Sequence, residues 1–317
     1  MHKEKNKISL ACITKRKWLL LILAAVALYI LAPELKLFHE SLNAMEHVRL
    51  LPLTYVGLYV ISTFFLSALT YRLLVGSKYR YTRGLFIEFA GMFTNRLLPA
   101  GIGGIGLNFS FLRKQKYSKT EAFAVITTNN LLGLLGHIIL SVIILGIFHK
   151  KIPTINIHYS ARELYVGIVC LVIVGVGMLY VIINFHGHFL RVTHDLMSTI
   201  SNFSKRPYQL ALALLSSIGL TVSNVLALYF CSLALNLHLS LVIVFVVFTF
   251  GILLGTASPT PGGLGGTEAG LIAGLVALHV SAANALALAL VFRVISFWIP
   301  FICGGIVFAV IKKLNYV

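Results

Sequence analysis

The sequence predicts an all-α polytopic membrane protein, with six full spans plus two re-entrant or broken helical hairpins in an inverted-topology repeat. Three observations predict it. Hydrophobic residues make up 58% of the 317 residues and charged residues 11%, with a mean hydropathy of +0.93, whereas soluble domains carry about 25% charged residues. Apolar runs near the roughly 20 residues a helix needs to cross a bilayer recur along the chain. Two of these runs are broken by proline and glycine, at residues 99–106 and 258–268, and the Lys and Arg distribution puts the two breaks on opposite faces. Residues 1–317 are expected to form a single membrane domain.

In order, residues 1–17 read as a basic cytoplasmic arm and residues 18–32 as the first span. Lys15-Arg16-Lys17 and the later Ala25-Val26-Ala27 also resemble a signal peptide with its cleavage site, but several equally apolar runs follow, so a first membrane helix is simpler. Residues 33–49 are polar and of mixed charge, and 51–75 form the second span. After the basic loop of Arg72, Lys78, Arg80 and Arg83 comes the first hairpin, 84–112. Pro99 and the glycines after it split this hairpin into halves too short to cross. Arg113, Lys114, Lys116 and Lys119 close it, and a span at 122–148 completes repeat one, 18–148.

Repeat two, 164–311, has the same order: a span at 164–185, a polar loop at 186–207, a span at 210–235, the second hairpin at 241–279 and a last span at 282–311. Placing both termini in the cytoplasm leaves 19 Lys or Arg inside and five outside, with Arg96 and Arg293 within the membrane region. That bias follows the positive-inside rule. It makes the first hairpin enter from the cytoplasm and the second from outside.

The net charge of +17 is spread over short loops between apolar runs, which argues against nucleic acid and leaves anionic lipid head groups as the natural counter-charge. Cys12, Cys170, Cys231 and Cys303 have no zinc or redox spacing. His186, His188 and His194 share a loop with Asp195 alone, so no metal is expected. No cofactor is expected either: Gly101-x-Gly103-x-x-Gly106 matches a dinucleotide fingerprint literally, but no strand precedes it.

Gly101-Ile102-Gly103-Gly104 matches Gly263-Leu264-Gly265-Gly266, which sets Pro99 on Pro261. One residue of slip sets Asn130 on Arg293. Two readings stand for Pro99, Gly101, Gly103, Gly104, Pro261, Gly262, Gly263 and Gly265. They either allow close helix packing, or they expose half-helix N–H groups to a lipid phosphate. Arginine at a helix centre costs roughly 2.5–3.5 kcal/mol on insertion scales. Arg96 and Arg293 are therefore read either as a phosphate clamp or as structural ion pairs, Arg96 with Glu88 and Arg293 with Glu268. Glu88 and Glu268 are counter-ions or proton carriers for coupling. Asn95, Asn108, Asn129 and Asn130 add polar groups to the first half, and Asn108 and Asn130 join the candidate substrate site. His137, alone in an apolar span, reads as packed.

The run Pro261-Gly262-Gly263-Leu264-Gly265-x-x-Glu268, followed by Ala285 and Arg293, resembles the lysylphosphatidylglycerol synthase transmembrane family, also described as flippase-like, which includes the membrane half of the multiple peptide resistance factor. The first half departs: where the family often has Pro-x-Arg-x-Gly-Glu, this chain has Pro99-Ala100-Gly101-Ile102-Gly103-Gly104, and Asn129 or Asn130 stands for an arginine frequent in the following span. The resemblance implies a multi-pass protein of a prokaryotic inner (cytoplasmic) membrane that translocates a phospholipid or lipid-linked intermediate. It does not imply lysyl transfer, which a separate soluble domain performs in two-part synthases, and no such domain is expected here. The expected function is thus a flippase-like transporter rather than an enzyme, with anionic or phosphate-bearing membrane lipids as partners. The alternatives are an accessory subunit presenting lipid to a separate synthase or transferase, and a membrane-embedded transferase.

Overall fold

The computed structural model describes residues 34–46, 48–76, 79–98, 101–148, 206–258, 260–314 and 316–317. The arm 1–17, the expected spans 18–32 and 164–185, most of the loop 186–207, and Pro99 and Pro259 lie outside them. The regular elements of the described residues are helices. In chain order they are α1 (Glu34–Met45), α2 (Leu50–Val75), α3 (Tyr81–Leu97), α4 (Ile102–Lys114), α5 (Lys119–Phe148), α6 (Pro207–Ala234), α7 (Leu241–Ala257), α8 (Gly266–Ala277), α9 (Ala282–Arg293), a π-helical turn (Val294–Trp298) and α10 (Ile299–Lys313).

Among the described residues, four rods are long and apolar enough to cross a membrane: α2, α5, α6 and the continuous stretch Ala282–Lys313. At 1.5 Å per residue the 26 residues of α2 span about 39 Å. Apolar side chains cover it all round. Leu58, Ile61, Phe65 and Leu69 are exposed on one side, while Val56, Val60, Phe64 and Ala68 are buried on the other. A soluble helix would sort polar residues to the outer face, so this pattern belongs to a helix with lipid on one side and protein on the other.

Two elements differ from expectation. Residues 33–49 were expected to be a polar connection, yet Glu34–Met45 is helical and lies against α9. Its charges argue against a span, not against a helix, and its Glu, Leu, Ala and Met are strong helix formers. The last span is not uniform: directly after Arg293 the helix widens into the π turn. Pro300 follows, and it has no N–H to give the carbonyl of Ser296.

Each hairpin is two short helices folded back on one another. In the first, Leu98 is extended and Gly101 (φ +70°) starts α4 in the left-handed region. A Cβ on Gly103 would stand 2.0 Å from the Thr94 carbonyl oxygen, and one on Gly104 would stand 2.5 Å from the Asn95 side chain. In the second, Gly262 and Gly263 both have positive φ, at +61° and +66°. Gly266, Gly270 and Gly274, four residues apart, let α8 lie directly on α7. A Cβ on Gly270 would approach the Phe250 carbonyl oxygen to 2.4 Å, and backbone cannot yield as a side chain tip does. Gly270→Ala is expected to destabilise the fold by about 1–3 kcal/mol through overpacking, read as a lower melting temperature in detergent.

The hairpins are set by the α2–α6 pair, which makes the most extensive helix contact among the described residues. Across it the Ser62 and Ser223 hydroxyls stand 3.0 Å apart, and Ser216 Oγ donates to the Leu66 carbonyl at 2.9 Å. Two buried cores flank this pair. One joins Val60 and Leu228 to Val247, Leu271 and Leu288 around the second hairpin. The other joins Leu74 to Ile87, Leu107, Phe111 and Val125 around the first.

Candidate functional site

The broken tips of the two hairpins meet. A Cβ on Gly262 would lie 2.7 Å from the Phe297 ring and 3.2 Å from the Arg96 Cα, so the second hairpin touches the end of α3. Beside this contact is a cavity of about 520 Å³. It is lined from the first half by Asn95, Arg96 and Gly101, and from the second by Gly262, Gly263 and Arg293, with Asn224 of α6 and Thr256 and Thr267 of the second hairpin adding polar atoms. A smaller cavity of about 160 Å³ adjoins it, sharing Met92, Arg96, Asn224 and Ser296 as walls.

The two arginines are held differently. Arg293, on the last turn of α9, is buried; its Nε donates to Glu268 Oε1 at 2.6 Å and its Nη2 to the Gly262 carbonyl at 3.4 Å. Glu268 Oε2 also accepts from Gly265 N at 2.8 Å. One carboxylate therefore caps the α8 N-terminus and neutralises Arg293. Arg96, at the end of α3, donates to two carbonyls, Met92 at 2.9 Å and Ser296 at 2.6 Å. Ser296 is the residue whose oxygen Pro300 cannot serve. Among the described residues no carboxylate pairs with Arg96, and its Nε is buried without a hydrogen-bond partner. Both guanidinium carbons sit over one ring, Phe297, at 4.6 Å for Arg96 and 4.2 Å for Arg293. The ring's negative face offsets part of the repulsion between two cations.

Other candidate residues serve the walls. Asn108 Nδ2 donates to Glu88 Oε1 at 3.1 Å, and Ser67 Oγ donates to Glu88 Oε2 at 2.6 Å, so Glu88 ties α2, α3 and α4 through neutral donors. The alternative Arg96–Glu88 pair does not form, whereas the Arg293–Glu268 pair does. Ser67 also faces the smaller cavity, placing Glu88 one hydrogen bond behind its wall. Gly103 and Gly104 are buried in the α3–α4 contact, and Gly104 N donates to Asn95 Oδ1 at 2.6 Å. Pro261 and Gly265 are exposed at the second break. Asn130 is exposed on α5 and outside the cavity lining. His137 packs: its ring stacks on Phe245 with centroids 5.5 Å apart, and Nε2 is 3.3 Å from Thr249 Oγ1. Phe297, Asn224 and the Ser296 carbonyl were not anticipated. Phe297 lies four residues after Arg293, the spacing at which helix neighbours meet, and that was the available signal.

Chemically the cavity offers guanidinium donors, hydroxyls and glycine backbone, with one carboxylate against two cations. This is a set suited to an anion with several oxygens.

Comparison with known proteins agrees with the membrane character. UPF0104 membrane protein PH1989 of Pyrococcus horikoshii is 26% identical over 254 residues, covering 71% of this chain and 76% of that protein. Inner membrane protein YbhN of Escherichia coli is 25% identical over 304 residues, covering 93% of this chain and 91% of its own. UPF0104 membrane protein MJ1595 of Methanocaldococcus jannaschii is 22% identical over 262 residues, covering 76% and 78%. The model of the lysylphosphatidylglycerol synthase transmembrane region matches residues 17–304. This multi-pass membrane protein belongs to the lysylphosphatidylglycerol synthase transmembrane-region family.

Proposed function

We propose that the protein carries an anionic, phosphate-bearing lipid between the leaflets of the inner membrane, with the phosphate at Arg96 and Arg293 and the acyl chains left in lipid. The observation that carries this reading is the charge left in the cavity. Glu268 neutralises Arg293, while Arg96 keeps its charge and presents a buried, unpartnered Nε. An uncompensated cation inside a membrane protein is costly, and a bound anion removes that cost.

The reading also uses an inverted repeat with both termini in the cytoplasm. Its support is internal. Ser62 and Ser223, which meet across α2 and α6, are 161 positions apart, against 162 for the matched glycines Gly101 and Gly263. Ser223 stands one residue from the matched position of Ser62, and near-equivalent residues meeting in this way support a two-fold axis relating α2 to α6, the first hairpin to the second, and α5 to the rod of α9 and α10. Exchange of access then follows from rocking one half against the other about the α2–α6 contact.

The test is reconstitution in liposomes carrying fluorescent phosphatidylglycerol on one leaflet, with quencher added outside. Protein-dependent exchange, competed by unlabelled anionic lipid and not by neutral lipid, is the expected result. Exchange no faster than in empty liposomes across a panel of anionic and lipid-linked phosphates overturns the transport reading in favour of a subunit that presents lipid to a separate enzyme.

A further inference from the structure

α7 faces two chambers along one side. Phe248, Ile252 and Gly255 line the arginine cavity, while Phe245 and Val242, about one and two turns before Phe248, line a second cavity of about 360 Å³. On α6 the division repeats: Asn224 faces the arginine cavity, and Val222 and Leu226 face the second one. The remaining wall is α5, through Leu140, Ile144 and Phe148. All of the lining side chains are apolar. Phe245 and Phe248 are three residues apart, about 4.5 Å along the helix axis, so the cleft begins where the polar chamber ends. α5 turns Leu134, Ile138, Val142 and Leu145 outward, so that among the described residues no protein layer covers this face.

Among the described residues the side related to it by the repeat is closed. Under the repeat, the counterparts of α5, α6 and α7 are α10, α2 and α3. There α3 and α10 are packed in close contact: a Cβ on Gly304 would stand 2.6 Å from the Phe89 carbonyl oxygen, and Phe93 stacks on Phe301 at 5.2 Å. α5 and α7 instead stand apart around the cleft, bridged where the His137 ring meets Thr249 and Phe245.

We propose that the cleft between α5, α6 and α7 is an acyl-chain site for the same lipid whose phosphate binds at Arg96 and Arg293, open to the bilayer while its counterpart at α3 and α10 is shut. This rests on the carrier reading above. Its chemistry is that of a two-part ligand. The arginines fix the phosphate, and an apolar cleft next to their cavity along α7 takes a hydrocarbon chain that would otherwise cross a polar chamber.

The experiment uses the full chain with Trp18 and Trp298 replaced by phenylalanine and one new tryptophan, Leu226→Trp, in the cleft. Leu140→Trp is the second variant if the first does not fold, and Leu134→Trp on the outer face of α5 is the comparison. Liposomes contain a minor fraction of phosphatidylglycerol with brominated acyl chains, which quench tryptophan on contact. Saturable quenching at 226 or 140 is expected, with Arg96→Gln weakening the apparent affinity about tenfold, while quenching at 134 stays proportional to bulk lipid in both backgrounds. Quenching in the cleft that is absent, or that is indifferent to Arg96→Gln, overturns the acyl-chain site. Leaflet exchange of the same proteins separates the two failures: exchange without cleft quenching removes the site and keeps the carrier, and Arg96-dependent quenching without exchange keeps the site and removes the carrier.

Discussion

Arg293→Ala is expected to destabilise the protein by about 3–5 kcal/mol, because it leaves a largely buried carboxylate without its partner. Glu268 is only 20% exposed and Arg293 10%, and they meet at 2.6 Å, so water screens the pair little. Removing the guanidinium also strips a donor from the Gly262 carbonyl in the left-handed turn. Glu268→Gln tells the two roles of the carboxylate apart. Its amide oxygen still accepts from Gly265 N, so the α8 cap survives while the charge goes. Arg293→Met combined with Glu268→Gln is therefore expected to recover most of the loss, since replacing both members of a buried pair is often close to neutral. Thermal unfolding in detergent reads all three variants. Equal melting temperatures for Arg293→Ala and the double variant would show that packing around Phe297, not charge pairing, accounts for the effect.

Arg96→Gln is expected to act in the opposite way, with a small change in melting temperature and a loss of lipid exchange of about 10- to 100-fold. The loss corresponds to about 1.5–3 kcal/mol, the range for hydrogen bonds to a charged group. No buried carboxylate depends on Arg96; its partners are two backbone carbonyls and the Phe297 ring. Arg96→Lys should lie between, because the ammonium keeps the charge but cannot hold two carbonyls and a phosphate in one plane. Leaflet exchange measured beside thermal unfolding is decisive: a large stability loss with unchanged exchange per folded molecule would place Arg96 among the structural residues.

Much of the scaffold was legible because the physics of lipid is severe. Runs such as Leu50–Val75 and Pro207–Ala234 have to be helical where water is absent to serve the backbone, and proline with clustered glycine in such a run marks a break that protein must cover. The pairing of Glu268 with Arg293 was one of two alternatives that spacing left open. What decided it was geometry that spacing does not carry: Glu268 sits three residues into α8, where it reaches both Gly265 N and Arg293. Asn108 and Asn130 looked alike in the sequence, but helix phase sent one to Glu88 and the other to the outer surface of α5. The π turn was hidden because a proline in an apolar run marks a lost hydrogen bond without saying how the preceding turn adjusts. Phe297 was missed because its one signal, the spacing of four from Arg293, gives a neighbour of that arginine but not a ring shared with Arg96.

The contact between Arg96 and Ser296 has a mechanical meaning. Nη2 of Arg96 fastens the end of the first hairpin to a carbonyl of the last membrane helix, while Nε is left over. A phosphate that engages Nε alone leaves this latch shut. One that takes the guanidinium edge-on must claim Nη2 as well, and so has to displace the Ser296 carbonyl. If the protein carries such a ligand as proposed, capture and unlatching are a single event, and the cargo itself would free the hairpin to swing.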